Sequence, residues 1–340
     1  MFNDELSIEA VACIMTISSS TRSPTYPSSA VIKSVSFAPS SQIMKKAEGS
    51  DNWPITWGSD DVLFTAYGDG WGFEPPVDKK LSLGLAEVMG LPPDFHGVNI
   101  RSPSGEHLGD GIKGPKASGL LAVDDVLYMW IRNVDNSRLA WSADNGRTWI
   151  YGFFFRKSFG CPTFLNFGRN YGGSRDDFVY IYSQDGASAY VSYDGIVLAR
   201  VPRNMIRERE EYEFYKGRDG GGEPLWGHSI EERVPIFVFH GNCQRLDVVY
   251  NAGIKRYLLA LGFDHRGGWG LFDAPEPWGP WTTAFFTERW DCSDTHGYRL
   301  PSKWISEDGT TMYLVFSGMG EYDAFCVRKM SLRLKGEGTP

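Results

Sequence analysis

The stretch GSDNWPITWGSDDVLFTAYGDGWGF, from Gly49 to Phe73, contains two short apolar runs joined by a polar turn near Asp60. Short runs of β-branched and aromatic residues on either side of such a turn are typical of a β-hairpin. Asp51 and Asp69 lie equally far from the turn, one on each arm. In a regular hairpin the two carboxylates face each other at the open end, where like charges destabilise the strand pair.

Two opposed carboxylates also raise the pKa of one member of the pair. Proteins use such an arrangement where one group must hold a proton and the other must not, or where a cation is bound. The hairpin therefore predicts Asp51 and Asp69 as a catalytic pair. The alternative is that Asp51 caps a loop and Asp69 belongs to a Gly-Asp-Gly turn, each in contact with solvent.

The hairpin pattern occurs five times along the chain. Each copy has a first apolar run and a turn, which read ITWGSDD, GLLAVDD, TFLNFGRNYGGSRDD, VVYNAGIK and KWISEDGT. A second run follows in each copy, beginning at Val62, Val126, Phe178, Arg256 and Met312. Five hairpins of the same construction predict five four-stranded antiparallel units placed radially around a funnel, a five-bladed β-propeller. Stacked sandwiches and a β-helix are the alternatives.

The composition favours many short strands and few long helices. The 340 residues include 39 Gly, 19 Pro and 12 Trp, and 14% of them are aromatic, a balance that is rich in turns and in bulky strand formers. We assign residues 1–25 to an N-terminal lead-in, residues 26–334 to a single all-β propeller domain, and residues 335–340 to a C-terminal tail.

The charge pattern argues against nucleic acid as a partner. The chain has 34 Lys and Arg against 42 Asp and Glu, a net charge of −8, without a basic block that would bind phosphate backbones. The apolar decamer from Ile8 to Ile17 follows acidic residues and is too short to span a membrane, so it fails as a secretory signal or an anchor. We expect a monomer without a membrane partner, cytoplasmic unless the natural start lies elsewhere.

The cysteines indicate neither disulfides nor a metal site. They are five, scattered and without a CxxC spacing, and we expect free thiols: Cys13, Cys161, Cys243, Cys292 and Cys326. The chain also lacks a calcium-loop signature. We therefore expect no cofactor and no metal ligands, with a structural Ca²⁺ at the propeller axis conceivable but not indicated.

Strand direction extends the candidate site to the other hairpins. In a propeller blade, residues before the first strand and after the second share the funnel face. Asn52, Trp53 and Trp71 flank the two aspartates, and aromatic faces beside carboxylates often hold sugar rings, although a lone Trp more often packs in a core. The remaining predicted substrate contacts are Lys116, Arg132, Asp185, Arg245, Asp264, His296 and Arg299.

One turn has a recognisable propeller pattern. In LAWSADNGRTWIYG, the residues Ser142, Asp144, Gly146, Thr148 and Trp149 fill the pattern S-x-D-x-G-x-T-W. This pattern resembles the Asp box of sialidase-like propellers, in which Asp and Gly shape a hairpin turn and Trp packs between sheets. The resemblance implies a structural role and not a catalytic one.

Several motifs occur in the order seen in one family. GSDNWPITW, TAYGDGWGF, LYMWIRN, LAWSADNGRTW, KRYLLALG, DAPEPWGPW and YLVFSG are similar to bacterial proteins with a five-bladed propeller domain of formerly unknown function, some of which are endo-D-arabinanases. The likeness runs from about Tyr26 to Leu334. It implies a glycoside hydrolase with acidic catalytic residues in the funnel, and Asp51 in S-D-N-W and Asp69 in G-D-G match its leading motifs.

The substrate is not inferred from this resemblance. The predicted inserts Glu74 to Lys113 and Arg203 to Glu232 lie where they would reshape the cleft. The sequence predicts a glycosidase that acts on a poly- or oligosaccharide through paired carboxylates. Two other functions stay open: a polysaccharide lyase acting on a uronate-containing glycan, and a carbohydrate-binding propeller without catalytic activity.

Overall fold

The computed structural model describes residues 26–263 and 267–336, and over these residues the chain is all-β. The predicted lead-in and the predicted substrate contact Asp264 lie outside the described residues. Within the two described ranges, no helix is both long enough and apolar enough to cross a membrane. The cysteines that are described, from Cys161 onward, are free and buried, as predicted.

The described strands are short and run through the whole chain. In chain order they are β1 Ile32–Phe37, β2 Met44–Lys46, β3 Ile55–Trp57, β4 Leu63–Tyr67, β5 Leu81–Met89, β6 His96–Ile100, β7 His107–Leu108, β8 Lys116–Val123, β9 Val126–Arg132, β10 Ser137–Ser142, β11 Ile150–Phe155, β12 Thr163–Asn166, β13 Phe178–Gln184, β14 Tyr193–Pro202, β15 Glu213–Arg218, β16 Pro224–Gly227, β17 Phe237–Cys243, β18 Leu246–Asn251, β19 Arg256–Gly262, β20 Trp269–Ala274, β21 Thr282–Thr287, β22 Thr295–Arg299, β23 Thr311–Gly318 and β24 Phe325–Leu334.

Helical structure in the described ranges is confined to single 3-10 turns of three residues each. These turns are Ser40–Gln42, Gly111–Lys113, Arg169–Tyr171, Arg203–Met205, Arg209–Glu211, Ile230–Glu232, Ser302–Trp304 and Gly320–Tyr322.

The strands pair into four sheets. Three of these contain the antiparallel orders β3-β4-β5-β6, β8-β9-β10-β11 and β22-β23-β24-β1. The fourth sheet has ten strands and divides into two antiparallel sets, β12 to β17 and β18 to β21, which meet at the parallel pair β12–β18. Antiparallel pairing therefore gives five consecutive sets of strands. The last set includes β1 beside β24, so it joins the two ends of the described chain.

Four of the five predicted hairpins form as expected, and the fifth forms only in part. The pairs β3–β4, β8–β9, β12–β13 and β18–β19 match the predicted runs. In the fifth, the run beginning at Lys303 makes a single antiparallel bridge, from Ile305 to Met312, and β23 pairs mainly with the earlier strand β22. Pro301 explains the difference, because proline has no N–H to donate to a ladder and here precedes the 3-10 turn Ser302–Trp304.

The two segments predicted as cleft-reshaping inserts consist largely of ordinary outer strands. Glu74 to Lys113 contains β5, β6 and β7, which extend the sheet of the first hairpin. Arg203 to Glu232 contains β15 and β16, which extend the sheet of β13 and β14. The first segment approaches the carboxylates at two places: Leu81 bridges to Gly70, and the Gly111 N–H contacts Asp69.

A bulge in the first hairpin corrects the predicted register of the two aspartates. Ile55 lies opposite Thr65, yet Asp51 pairs with Gly68 rather than with Asp69. Three residues on one strand therefore face two on the other, and Asn52, at φ 58°, lies in this bulge. Bulges of this kind re-aim side chains and are common beside active sites. Asp69 also has a positive φ of 45°, which breaks the usual alternation of side chains.

Aromatic rings fill the space between neighbouring sheets. Trp53, beside the first hairpin, packs edge-on against Phe325 of β24, with ring centroids 5.0 Å apart. Trp269 of β20 stacks on Tyr298 of β22 at 4.6 Å. Contacts of this kind bury large apolar areas and add directional attraction between rings. The core therefore consists of layers between sheets, and the inner strand ends remain available for polar side chains.

Asp144 organises the turn between β10 and β11. Its carboxylate accepts hydrogen bonds from the Thr148 N–H at 2.8 Å and from the Ser142 hydroxyl at 2.7 Å. Burial is the largest single influence and raises the pKa of Asp144, but the hydrogen bonds, led by those from Thr148, together outweigh it and lower this pKa to about 2. The Trp149 indole N–H closes the turn on the Gly146 carbonyl at 2.9 Å.

Candidate functional site

A group of charged side chains meets where the first strands of the hairpins begin and the second strands end. Lys116 begins β8 and Arg132 ends β9, and their Cα atoms are register partners. Arg245 directly precedes β18, and His296 lies near the start of β22. Together with Asp51 and Asp69 these residues form what we call the inner cluster. The strand-direction rule therefore places these six predicted residues in one region.

Asp69 is paired with a buried lysine. The Lys116 ammonium forms an ion pair with Asp69, and the Lys116 side chain is 2% exposed. The Gly111 N–H adds contacts of 3.2 and 3.1 Å to the two carboxylate oxygens. Charge-assisted contacts of this kind are stronger than those between neutral groups. They fix the Asp69 carboxylate in place beside the lysine side chain.

Asp51 lies beside His296 and has a less complete set of partners. Asp51 Oδ2 is 3.9 Å from His296 Nε2, while Asp51 Oδ1 is buried and accepts no hydrogen bond. His296 Nδ1 is 3.3 Å from Arg245 Nη1. Because arginine can only donate, Nδ1 accepts, and in the neutral ring the proton lies on Nε2, towards Asp51.

Burial dominates the electrostatics of Asp51. It raises the pKa of Asp51, while the positive charges of Lys116, Arg245 and Arg132 act in the opposite direction. The negative charge of Asp69 raises the pKa further. Desolvation disfavours the charged form of any carboxylate, so the two aspartates occupy different environments although they are near neighbours.

Two guanidinium groups lie close to the ring of Tyr190 in the inner cluster. The guanidinium carbons of Arg132 and Arg245 lie 5.1 and 5.3 Å from the centre of the Tyr190 ring, within range of cation–π attraction. Burial and the neighbouring Arg132 charge lower the pKa of Arg245 to about 10, although Asp51 opposes this shift. Tyr190 was not predicted, because it belongs to the loop after β13 and not to a strand end.

Asp323 is a third carboxylate that the sequence analysis missed. Burial, and then the charges of Asp51 and Asp69, raise the pKa of Asp323 to about 6. Asp323 follows β23, so the strand-direction rule, extended to the end of that strand, would have found it. The candidate site therefore contains three electrostatically linked carboxylates.

We expect Asp323→Asn to stabilise the protein at neutral pH. The folded-state pKa of about 6 exceeds the ordinary value of 3.8. The carboxyl group therefore favours folding at low pH, and this contribution is lost as the pH rises through about 6. Asparagine removes the cost of the buried charge, so the free energy of unfolding at pH 7 should rise on the order of 1 kcal/mol, after allowance for solvent screening of a half-buried group.

Thermal unfolding at about pH 7 and about pH 4 checks this expectation, since the gain should vanish at the lower pH. Asp110→Asn is the matched control. Asp110 is exposed, and its hydrogen bond to Lys80 lowers its pKa, so its replacement should not stabilise the protein. Equal gains for both variants, or a gain that persists at low pH, would contradict the placement of Asp323.

The structure corrects the predicted role of Trp53. The indole is fully buried, and its N–H donates to the Ala324 carbonyl at 3.0 Å. The ring packs against Tyr67, Phe73 and Phe325, so it cannot stack on a substrate. Trp71, by contrast, is 40% exposed and presents aromatic surface to solvent.

Asn52 connects strands around the inner cluster. Its N–H donates to the Ser317 hydroxyl at 3.0 Å, and its side-chain amide donates to the Ala117 carbonyl at 2.6 Å. These bonds reach β23 and β8, on either side of the first hairpin. Asn52 Oδ1 is buried and accepts no hydrogen bond. The residue therefore holds the Asp51 segment in position.

The other predicted contacts are engaged in separate ion pairs. Asp185 bonds the Ser158 hydroxyl at 2.7 Å and the Arg233 guanidinium at 2.7 Å. Arg299 is buried beside Asp247, at 3.4 Å, and donates to the Leu246 carbonyl. The Asp247 carboxylate in turn accepts the Leu300 N–H. These contacts hold strand ends together, and Arg299 is packed between protein groups.

No metal centre is visible in the described ranges. Among these residues, no group of three or more His, Cys, Asp or Glu side chains could hold a metal ion. The functional groups of the inner cluster are carboxylates, guanidinium groups, one ammonium group and one imidazole. Such a set can transfer protons and bind polar or anionic ligands.

Solved structures with a similar fold span most of the chain. A Bacteroides ovatus ATCC 8483 protein described as a "putative hydrolase" has a TM-score of 0.56 and 14% identity, and the alignment covers 87% of this chain and 93% of that one. A protein described as a glycoside hydrolase has a TM-score of 0.51 and 10% identity, over 87% of this chain and 63% of that one. A GH43_1 enzyme from Xanthomonas citri aligns with a TM-score of 0.48 and 13% identity, over 86% and 90%.

Sequence comparisons give the family but not an activity. No curated protein sequence matches the chain. The family model described as "Domain of unknown function (DUF4185)" matches residues 120–328, which is more than half of the chain. This match confirms the family resemblance predicted from the sequence motifs. The chain therefore belongs to the DUF4185 family.

Proposed function

We propose that the chain is a glycoside hydrolase that acts on a poly- or oligosaccharide through Asp51 and Asp69, in the funnel of a five-bladed β-propeller. The observation that carries the proposal is that the two carboxylates lie together at the open end of the first hairpin but in different electrostatic environments. The five antiparallel strand sets and the Asp box turn around Asp144 support the propeller.

Asp69 is the proposed base or nucleophile. Its carboxylate is held by the Lys116 ammonium and by the Gly111 N–H, and these two contacts fix its orientation. A nucleophile or base needs a negative charge at a fixed position.

Asp51 is the proposed proton donor. Burial raises its pKa, as an acid that must hold its proton at working pH requires. The donor transfers the proton to the glycosidic oxygen as the bond to the leaving group breaks. A carboxyl separation of about 5 to 5.5 Å favours retention of anomeric configuration, and one of about 6.5 to 9.5 Å favours inversion.

Trp71 is the proposed platform for a sugar ring. It lies two residues after Asp69, its side chain is partly exposed, and its backbone N–H donates to the Ser50 hydroxyl at 3.1 Å. An exposed aromatic face beside a carboxylate suits the apolar face of a sugar. This arrangement supports a carbohydrate substrate rather than a small apolar ligand.

A screen of plant, algal and bacterial polysaccharides tests the proposed function. We expect new reducing ends from at least one polymer, without new ultraviolet absorbance from a carbon–carbon double bond. The Asp69→Asn variant serves as the negative control. Absence of reducing ends from every polymer, with a folded enzyme, would count against hydrolysis.

A polysaccharide lyase is the second candidate. His296 and the guanidinium groups of Arg132 and Arg245 favour it, because a lyase needs a base and cations that neutralise a uronate carboxylate. Lyase products absorb in the ultraviolet and hydrolase products do not, so the same screen separates the two. A binding propeller would retain glycan without producing either signal.

A further inference from the structure

We propose that Arg132 and Arg245, which both lie beside Tyr190, form a subsite for the carboxylate of an acidic sugar, so that the substrate is a uronate-containing glycan. The identity of the ligand as a sugar rests on the proposed function. The anion-binding property does not, because it follows from the charges of the inner cluster alone.

Arg132 is a buried charge without a counter-ion bonded to it. Its side chain is 1% exposed, and none of its three guanidinium nitrogens has a hydrogen-bond partner. Arginine stays protonated in proteins, so it cannot escape the cost of burial by losing its proton. An uncompensated buried charge strongly destabilises a fold. Proteins keep such a destabilising group where it serves function, for example by binding a ligand of opposite charge.

The position of Arg132 on its strand increases this cost. Its register partner across β8 and β9 is Lys116, so two like charges oppose each other. Lys116 is balanced by Asp69, whereas Arg132 lies over the face of Tyr190 and shares the charge of Asp51 with Lys116 and Arg245. Cation–π attraction is weaker than a bidentate bond to an oxyanion. A negatively charged ligand group beside Arg132 would therefore be favourable.

The inner cluster has more positive than negative charge. Its cations are Lys116, Arg132 and Arg245, and its carboxylates are Asp51 and Asp69. Asp69 is paired with Lys116, which leaves Asp51 to face two guanidinium groups. Burial raises the pKa of Asp51 and so disfavours the negative charge that would compensate them.

Unfilled acceptors at the same strand ends favour a sugar acid over an inorganic anion. Gln184 ends β13 and is fully buried, yet its Oε1 accepts no hydrogen bond, and the same holds for Asn52 Oδ1. Phosphate or sulfate offers few donors at neutral pH, whereas a uronic acid offers a carboxylate together with several hydroxyl groups. Planar guanidinium groups also match a planar carboxylate in bidentate geometry.

Titration of the full chain with oligogalacturonide and oligoglucuronide, each compared with its methyl ester, tests the subsite. The ester keeps the sugar and removes only the charge. We expect at least one acid form to bind about 10- to 100-fold more tightly than its ester, the size of one or two charge-assisted hydrogen bonds. Arg132→Met should abolish this difference, and Arg132→Lys should restore part of it.

Arg175→Met is the matched control, because Arg175 is bonded at the surface to Glu276 and to the Pro275 carbonyl. It should leave the preference unchanged. Arg132→Met should also not lower the melting temperature of the free protein, since Arg132 has no hydrogen bond to lose. A clear loss of melting temperature would assign Arg132 a structural role and overturn the proposal.

Equal binding of acid and ester for both sugars would also overturn the subsite, as would inorganic phosphate that competes as strongly as the sugar acids. Neither result bears on hydrolysis, which is read from reducing ends and not from binding. Conversely, a preference for acid over ester without reducing ends from any polymer would support the subsite and contradict the hydrolase.

Discussion

Asp51→Asn and Asp69→Asn are each expected to lower kcat/KM by about 10²- to 10⁴-fold, the usual contribution of a positioned acid or base. Asparagine keeps the shape of the side chain but can neither donate the proton proposed for Asp51 nor carry the charge proposed for Asp69. Initial rates of reducing-end formation measure the loss. Asp110→Asn, an exposed carboxylate on the same segment as Gly111, should retain activity.

The two variants should differ in stability, which helps to separate catalysis from folding. Asp69→Asn leaves the buried Lys116 ammonium without its ion-pair partner, so its melting temperature should fall. Asp51→Asn replaces a carboxyl group whose pKa is already raised by burial, so it should be tolerated better. Full activity in both variants, with circular dichroism like that of the wild type, would contradict the assigned pair.

Trp53→Ala is expected to lower the free energy of unfolding by about 3 to 5 kcal/mol, as is typical for loss of a large buried aromatic side chain. The ring is fully buried and joins the first hairpin to β24 through Phe325. Trp71→Ala is the matched variant, because its ring is partly exposed. Its effect on stability should stay within about 0.5 kcal/mol.

The same pair of variants should give the reverse order in glycan binding. Trp71→Ala should weaken affinity for the substrate found in the screen, because it removes the proposed platform. Denaturant unfolding and substrate titration of both variants check the two expectations together. A strongly destabilised Trp71 variant with unchanged affinity would show that Trp71 is a packing residue like Trp53.

Local patterns in the sequence were sufficient to predict most of the strands. The run at Val126 became β9, and its partner run became β8, with Lys116 and Arg132 at adjacent strand ends as expected. This worked because strand runs and turns are encoded locally, and because hairpin direction fixes which ends meet. The fifth hairpin formed only in part, because the run beginning at Lys303 has the composition of a strand but starts inside the 3-10 turn Ser302–Trp304 that follows Pro301.

The register of the first hairpin could not be predicted from the alternation of residues. A bulge containing Asn52 shifts the partner of Asp51 from Asp69 to Gly68. The bulge is fixed by contacts with strands far along the chain, where Ser317 and the Ala117 carbonyl bind Asn52. The local sequence does not encode these contacts. The two carboxylates are nevertheless close enough for the charge of Asp69 to raise the pKa of Asp51.

Burial was the second property that the sequence did not reveal. Trp53 and Trp71 flank the same hairpin, and only the packing of Phe325 from β24 distinguishes the buried ring from the exposed one. Tyr190 lies in a loop whose path is set by tertiary contacts. The sequence also gives no sign that Arg132 is buried without a hydrogen-bond partner for its guanidinium group.

Cleavage in heavy-oxygen water, followed by mass spectrometry of the products, tests the central claim most directly. If Asp51 and Asp69 hydrolyse a glycosidic bond, each new reducing end should contain one oxygen atom from the solvent, and Asp69→Asn should produce almost none. Finished products incubated without enzyme correct for spontaneous exchange. Cleavage without solvent oxygen in the products, accompanied by ultraviolet absorbance, would contradict hydrolysis and establish elimination.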